Sequence, residues 1–268
     1  MKRVSLPMYN LPEMRPANAA FWMAIRTELH RRGVADVPAE LDFDRKPVPP
    51  AIGPEVLFTQ VCGWPLQTIY AGQAVMLGTP VYHAPFCQGG SHAGVFVVHA
   101  QSTYESVRAL RGCRFVFNSV QSNSGMNLPR RLIADLVPGG AFFASVVQTH
   151  SQPGNLECVA RQEADATCVD CVTYAFFARA RPEIARNLRV LAPTPPSPAI
   201  PFATSAATPP DLRAALTEAL LAVARSPQWA SARAGLLLAD IVRAEPAAYR
   251  IQCDYAREAA ELGYPHLV

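Results

Sequence analysis

The chain has 268 residues, 50% of them hydrophobic and 17% charged. That composition supports one large or two small domains with a sizeable core and excludes a charge-rich disordered chain. Its 25 prolines argue against a coiled coil or plain helical bundle, and a formal net charge of +3 excludes an electrostatic nucleic-acid binder. No apolar stretch reaches the ~20 residues that a membrane span needs. The best, such as Ala234 to Val242, is short and carries Asp240. Met1-Lys2-Arg3 is followed by Val4 to Met8, too short for a leader's apolar region and interrupted by Pro7. As it stands, the sequence is expected to be cytoplasmic, or periplasmic if a leader has been removed. The seven cysteines are an odd number, so at least one stays unpaired, which suits a reducing compartment.

Arg3 to Tyr9 reads as a first strand, closed by the Asn10-Leu11-Pro12 turn. A helix is predicted from Pro16 to about Arg32, because proline opens it, Gly33 stops it, and Ala20, Phe21, Ala24, Ile25 and Leu29 recur at helical spacing. Pro38 to Pro54 has no period. Strands follow at Val56 to Val61, Ala74 to Tyr82 and Gly94 to Ala100, with one or two helical turns at Gly63 to Tyr70. A strand–helix rhythm then runs through helix Thr103 to Leu110, strand Cys113 to Asn118, helix Ser124 to Leu136 and strand Phe142 to Thr149. It continues with helix Pro153 to Gln162, strand Ala166 to Val169, helix Val172 to Asn187 and strand Leu188 to Ala192. Alanine-rich helices are predicted at Pro210 to Ala224, Ala230 to Val242 and Ala247 to Leu262. Strands alternating with helices imply an α/β fold with parallel strands.

In such sheets, ligands sit beyond the carboxyl ends of the strands. The residues found there are Tyr9; Gln60 and Cys62; Tyr82; the run Asn118 to Gly125; His150-Ser151; and Asp170. Most informative is Ser122-Asn123-Ser124-Gly125 entering a helix. Its unpaired amide groups, hydroxyls and glycine form a cradle for an oxyanion, and no P-loop lysine follows. The alternative is plain helix capping. His150 is either an anion donor or a satisfied surface histidine, and Asp170 either meets a ligand or caps the next helix. Tyr9 and Tyr82 are equally well core-rim aromatics. Cys168-Val169-Asp170-Cys171 has no second cysteine pair, which argues against a metal, and no cofactor motif is present. Cys62 and Cys87 fall in loops expected at the same edge, and sequence does not decide whether they pair.

The segments SLPMY (5–9), TQVCGWPL (59–66), GTPVY (78–82), LRGCRFVFNSVQSNSGMNLPR (110–130), THS (149–151), EADATCVD (163–170) and RPEIARNLRVLAPT (181–194) occur in a telling order. With them the chain resembles the phosphonate/phosphite-binding components of ABC transporters. The resemblance implies an α/β, two-lobe type II periplasmic-binding-protein fold with a hinge and an interlobe ligand cleft. Residues 1–88 and 195–268 would form the first lobe, and 89–194 the second. It implies an anion site of Ser122, Asn123, Ser124, Gly125, His150 and Tyr82, with Ser151 beside it. Asp170 would face the organic end of an aminoalkyl phosphonate, as in some relatives. Tyr9, Gln60 and Cys62 transfer by strand-end position only.

Two functional classes follow. The first is a non-catalytic binding protein that clamps a small anion such as phosphate, phosphonate or phosphite, with an ABC permease as a candidate partner. The second is a cytosolic enzyme on the same fold, similar to chorismate dehydratases or thiamine-pyrimidine synthases, with Cys62 or Asp170 doing chemistry.

Overall fold

The computed structural model describes residues 2–137 and 140–268. The chain forms two compact units. The first comprises residues up to His83, Cys87–Ser91 and Pro198–Ala248; the second comprises Ala84–Phe86, His92–Ser197 and Tyr249–Val268.

In chain order, β1 (Arg3–Val4) and a 3-10 turn (Pro12–Met14) lead into α1 (Arg15–Arg31), β2 (Val56–Gln60), α2 (Gly63–Gln67) and β3 (Ala74–Tyr82). Then come β4 (Ser91–His92), β5 (Gly94–His99), β6 (Arg114–Phe117), a π-helical turn (Asn123–Asn127) running into α3 (Leu128–Ala134), and β7 (Ser145–Gln148). These are followed by α4 (Gln152–Ala160), β8 (Ala166–Asp170), α5 (Cys171–Ala180), α6 (Pro182–Ala185), β9 (Leu188–Pro193), β10 (Ser197–Pro198) and β11 (Phe202–Ser205). The chain closes with α7 (Pro210–Arg225), α8 (Ala230–Gly235), β12 (Leu238–Val242) and α9 (Ile251–Glu261).

The first unit holds a sheet in the order β1-β2-β11-β3-β12, with β1 parallel to β2, and β11 and β12 antiparallel to their neighbours. The second holds β7-β6-β8-β5-β9, in which β6 runs parallel to β7 and β8, and β5 runs antiparallel to β8 and β9. β4 and β10 pair as a separate ribbon. The sheets are therefore mixed, which corrects the expectation of parallel strands. β5 and β11, antiparallel in their sheets, each begin just after the chain has passed from one unit to the other.

In the first unit α1 forms as its punctuation predicts. Gly33 adopts φ +80°, and the amides of Gly33 and Val34 close on the His30 and Leu29 carbonyls. Its apolar face buries Phe21, Trp22, Ile25 and Leu29. Trp22 stacks on Phe58 of β2, and Phe58 on Phe202 of β11, with ring centroids 5.5 and 5.6 Å apart. The same helix buries Glu28, which accepts hydrogen bonds from Arg31 (2.6 Å), Arg32 (2.7 Å), Trp229 Nε1 (3.0 Å) and Gln228 Nε2 (3.1 Å). In the second unit, β5 and β8 are the central, fully or nearly fully buried strands. Phe115 stacks on Phe143 at 4.3 Å beside Phe96.

Several expectations are corrected. The strand expected at 3–9 covers only Arg3–Val4, and the helix expected at 103–110 only a 3-10 turn at Val107–Leu110. The helix expected to run to Asn187 breaks at Arg181 (φ −133°, ψ 59°), because the residue before Pro182 is driven out of helical geometry. The segment 230–242 is helical only to Gly235. Leu237 then turns through φ +53°, and β12 pairs with the edge of β3. The segment 249–268, expected in the first lobe, belongs to the second unit. Asn127 donates to the Gln252 carbonyl, Arg131 pairs with Glu258, Arg130 donates to the Pro265 carbonyl, and the Phe142 and Phe143 amides bond Val268 O.

Burial raises the pKa of Glu28. Hydrogen bonds from Arg32 and Trp229 and the charges of Arg31 and Arg32 outweigh it, so the carboxyl titrates below its usual value. A depressed carboxyl contributes stability that is full above its unfolded pKa and is lost as pH falls through the folded one. Glu28→Gln is expected to cost about 1.5–3 kcal/mol in urea unfolding at neutral pH. The deficit should shrink as pH falls below about 4.3; a deficit of constant size down to about pH 3 would contradict this.

Candidate functional site

The polar residues at the strand ends collect into one set in each unit. In the second unit, β6 ends at Phe117 and the chain turns through Asn118–Gln121. Ser119 Oγ accepts from the Gln121 amide (3.1 Å), and the Ser122 amide donates to Ser119 O (3.0 Å). Ser122 then caps the helix, its Oγ accepting from the Gly125 amide at 2.9 Å. The Asn127 amide reaches back to Ser122 O at 3.1 Å, a five-residue span that gives the first turn its π geometry. Such turns recur at functional sites. Helical conformation is continuous from Asn123 to Ala134. The amides of Asn123 and Ser124 lie in the first turn, where the helix itself offers no acceptor.

Two glycines allow this packing. A Cβ on Gly125 would lie 2.1 Å from Asn118 Oδ1 and 3.0 Å from Ser122 Oγ. One on Gly94 would lie 2.9 Å from the Ser124 carbonyl and 3.0 Å from Cys168 Sγ. The helix start is thus seated directly on β5, with Asn123 further tied to Ser197 (2.9 Å) and Asn127 (3.0 Å). Ser124 Oγ accepts from Gln152 Nε2 (3.1 Å), and Gln152 Oε1 accepts from the Asp170 amide (3.0 Å). Gln152, which sequence reasoning passed over, joins the serine turn to the end of β8.

His150 is exposed at φ +66°, a left-handed conformation unusual for a residue with a side chain, and its Nδ1 lies 3.0 Å from Gln148 Nε2. Ser151 caps α4 through the Gly154 amide (3.0 Å). Asp170 caps α5, with Oδ1 accepting from the amides of Val172 (2.8 Å) and Thr173 (3.1 Å). Capping therefore accounts for Ser122, Ser151 and Asp170. Asp170 has a second role that the sequence did not disclose: its Oδ2 lies 2.7 Å from Nδ1 of His92, and both side chains are 2% exposed. Cys171 Sγ is close to both. Burial pulls the His92 pKa down, but the charge and hydrogen bond of Asp170 outweigh it, and the imidazole titrates above its usual value. Cys168 is a fully buried core thiol whose pKa burial pushes well up; Cys62 is buried and Cys87 half-buried.

In the first unit, Tyr9 and Tyr82 meet edge to face at 5.6 Å, and Gln60 Nε2 donates to Tyr82 Oη and to the Ile200 carbonyl, both at 3.1 Å. Cys62 is buried immediately before α2. Gln60 and Tyr82 end their strands, Cys62 follows β2 by two residues, and Tyr9 lies in a turn five residues beyond β1; Tyr9, Gln60 and Tyr82 are joined by direct contacts.

The family model of periplasmic substrate-binding proteins of phosphonate ABC transporters matches residues 71–249, more than half of the chain. The chain belongs to this family. No curated protein sequence matches it. Among solved structures, it is similar to a binding component of an ABC phosphonate transporter from Pseudomonas aeruginosa (13% identity, 98% of this chain and 88% of that one, TM-score 0.74). It is also similar to PhnD1 of Prochlorococcus marinus in complex with methylphosphonate (13% identity, 97% and 98%, TM-score 0.61). XAC2383 of Xanthomonas citri, bound to ATP, matches at 15% identity over 97% of each chain, TM-score 0.67. The fold is thus that of the two-lobe periplasmic binding proteins. The family is periplasmic, and no helix among the described residues is long and apolar enough to cross a membrane.

Two outcomes follow for this phosphonate-binding family member. Asp170→Ala removes the α5 cap and strands His92, and should cost about 3–5 kcal/mol in urea unfolding. A raised histidine contributes stability that is full below about pH 6.5 and is lost as pH rises through the folded value. The gap between wild type and variant should therefore narrow on the alkaline side; a gap independent of pH would contradict the ion pair. Gly125→Ala should cost about 1–3 kcal/mol through the Asn118 clash.

Proposed function

We propose that this phosphonate-binding family member captures a small tetrahedral oxyanion (a phosphonate, phosphite or phosphate) and passes it to an ABC permease. The observation that carries the reading is the seated helix start at Asn123, whose first-turn amides and partial positive charge suit an anion. In this reading the Asn123 and Ser124 amides and the Ser124 hydroxyl hold the anion's oxygens, and Gly125 lets the backbone approach. His150 donates from the end of β7, with Ser151 fixing the turn beside it, and Asp170 stands at the edge of the ligand's organic end. Tyr9, Gln60, Cys62 and Tyr82 are the candidate ligand contacts of the first unit, with Gln60 orienting the Tyr82 hydroxyl. Binding follows the common logic of such proteins, in which the ligand stabilises one conformational state by binding it more tightly.

His150 supports the reading independently. A non-glycine residue at φ +66° costs about 1–2 kcal/mol. A surface histidine that only occupied a turn would gain by being glycine. His150→Gly should leave stability unchanged or raise it by about 1 kcal/mol, while weakening methylphosphonate binding about tenfold or more in calorimetry. Absence of heat from methylphosphonate, phosphite and phosphate alike would sink the proposed function.

A further inference from the structure

The Asp170–His92 pair bears on which oxyanion the site accepts, and the inference rests on the anion-binding reading above. A carboxylate recognises a ligand's ammonium group by presenting uncompensated negative charge and open lone pairs. Asp170 has neither to offer. Its Oδ1 already accepts two backbone amides at 2.8 and 3.1 Å, and its Oδ2 is 2.7 Å from the His92 ring, all inside the second unit. The side chain is 2% exposed. At 2.7 Å the His92 ring nitrogen already occupies Oδ2, and in its protonated form the imidazole cancels the carboxylate's charge. An ammonium brought to this place would meet the His92 ring and pay for desolvation without an open carboxylate to pair with.

We propose that His92 is a specificity-determining residue which neutralises Asp170, so that the protein selects small phosphonates with an uncharged organic end and rejects aminoalkyl phosphonates. The same side chains that stabilise the end of β8 thereby set the ligand class. Removing the imidazole while keeping a hydrogen-bonding group, as in His92→Gln, leaves a buried carboxylate whose charge is unmatched. That charge attracts an ammonium and repels a bare phosphonate, so the ratio of the two affinities is the diagnostic quantity.

The test is calorimetric titration of the wild-type protein with methylphosphonate and with aminoethylphosphonate, with inorganic phosphate as a further probe. The wild type is expected to bind methylphosphonate at least about tenfold more tightly than aminoethylphosphonate, and His92→Gln to shift that ratio toward the amine by about tenfold or more. Equal or tighter binding of aminoethylphosphonate by the wild type overturns the proposal and needs no variant to fold. A folded His92→Gln protein with an unchanged ratio overturns it as well. Heat from none of the three anions contradicts the anion site itself, a different failure from selection of the wrong phosphonate.

Discussion

The binding account turns on the amides at the start of the helix that opens at Asn123. Backbone donors withdrawn from water must find acceptors, and a helix start cannot supply them. The chain answers in part with its own groups: Ser122 takes the Gly125 amide, and the Ser119 carbonyl takes that of Ser122. What remains in the first turn is the reason an anion is expected there. The rest of the second unit holds that turn in place. Gly94 admits the Ser124 carbonyl onto β5, Gln152 links Ser124 to the end of β8, and Asn127 joins the turn to the carboxyl-terminal helix.

Position and charge are handled by different kinds of contact. Capping fixes position: Ser122, Ser151 and Asp170 each accept from helix amides and so set where the π-helical turn, α4 and α5 begin relative to their strands. Charge is handled by pairing. Glu28 in the first unit and Asp170 in the second are buried carboxylates, and each has a basic side chain within 2.7 Å. Glu28 is met by two arginines and serves the core. Asp170 is met by a histidine at a strand end, where compensation also alters what a ligand encounters.

Much of this was legible in the sequence where local signals and tertiary structure agree. Proline and Gly33 bracket α1, the Ala74–Tyr82 strand has the expected ends, and the serine turn lies at a helix start. The failures share a cause. Leu238–Val242 follows an alanine-rich helix without a proline, and only the open edge of β3 makes it a strand. Phe202–Ser205 is four residues long and too short for a period, yet it sits between β2 and β3. The carboxyl-terminal helix joins the second unit through contacts with Asn127, Arg130 and Arg131, which no local pattern announces. His92 is the instructive case at the site. Nothing in Ser91-His92-Ala93 points to Asp170; the antiparallel register that sets Gly94 opposite Asp170 brings them together.

Backbone amide chemical shifts followed during titration with methylphosphonate test the central claim most directly. If the helix start holds the anion, the Asn123 and Ser124 amide protons move downfield and saturate together with the calorimetric isotherm. Saturation of binding while those two amides stay unmoved, with the changes confined elsewhere, would contradict it.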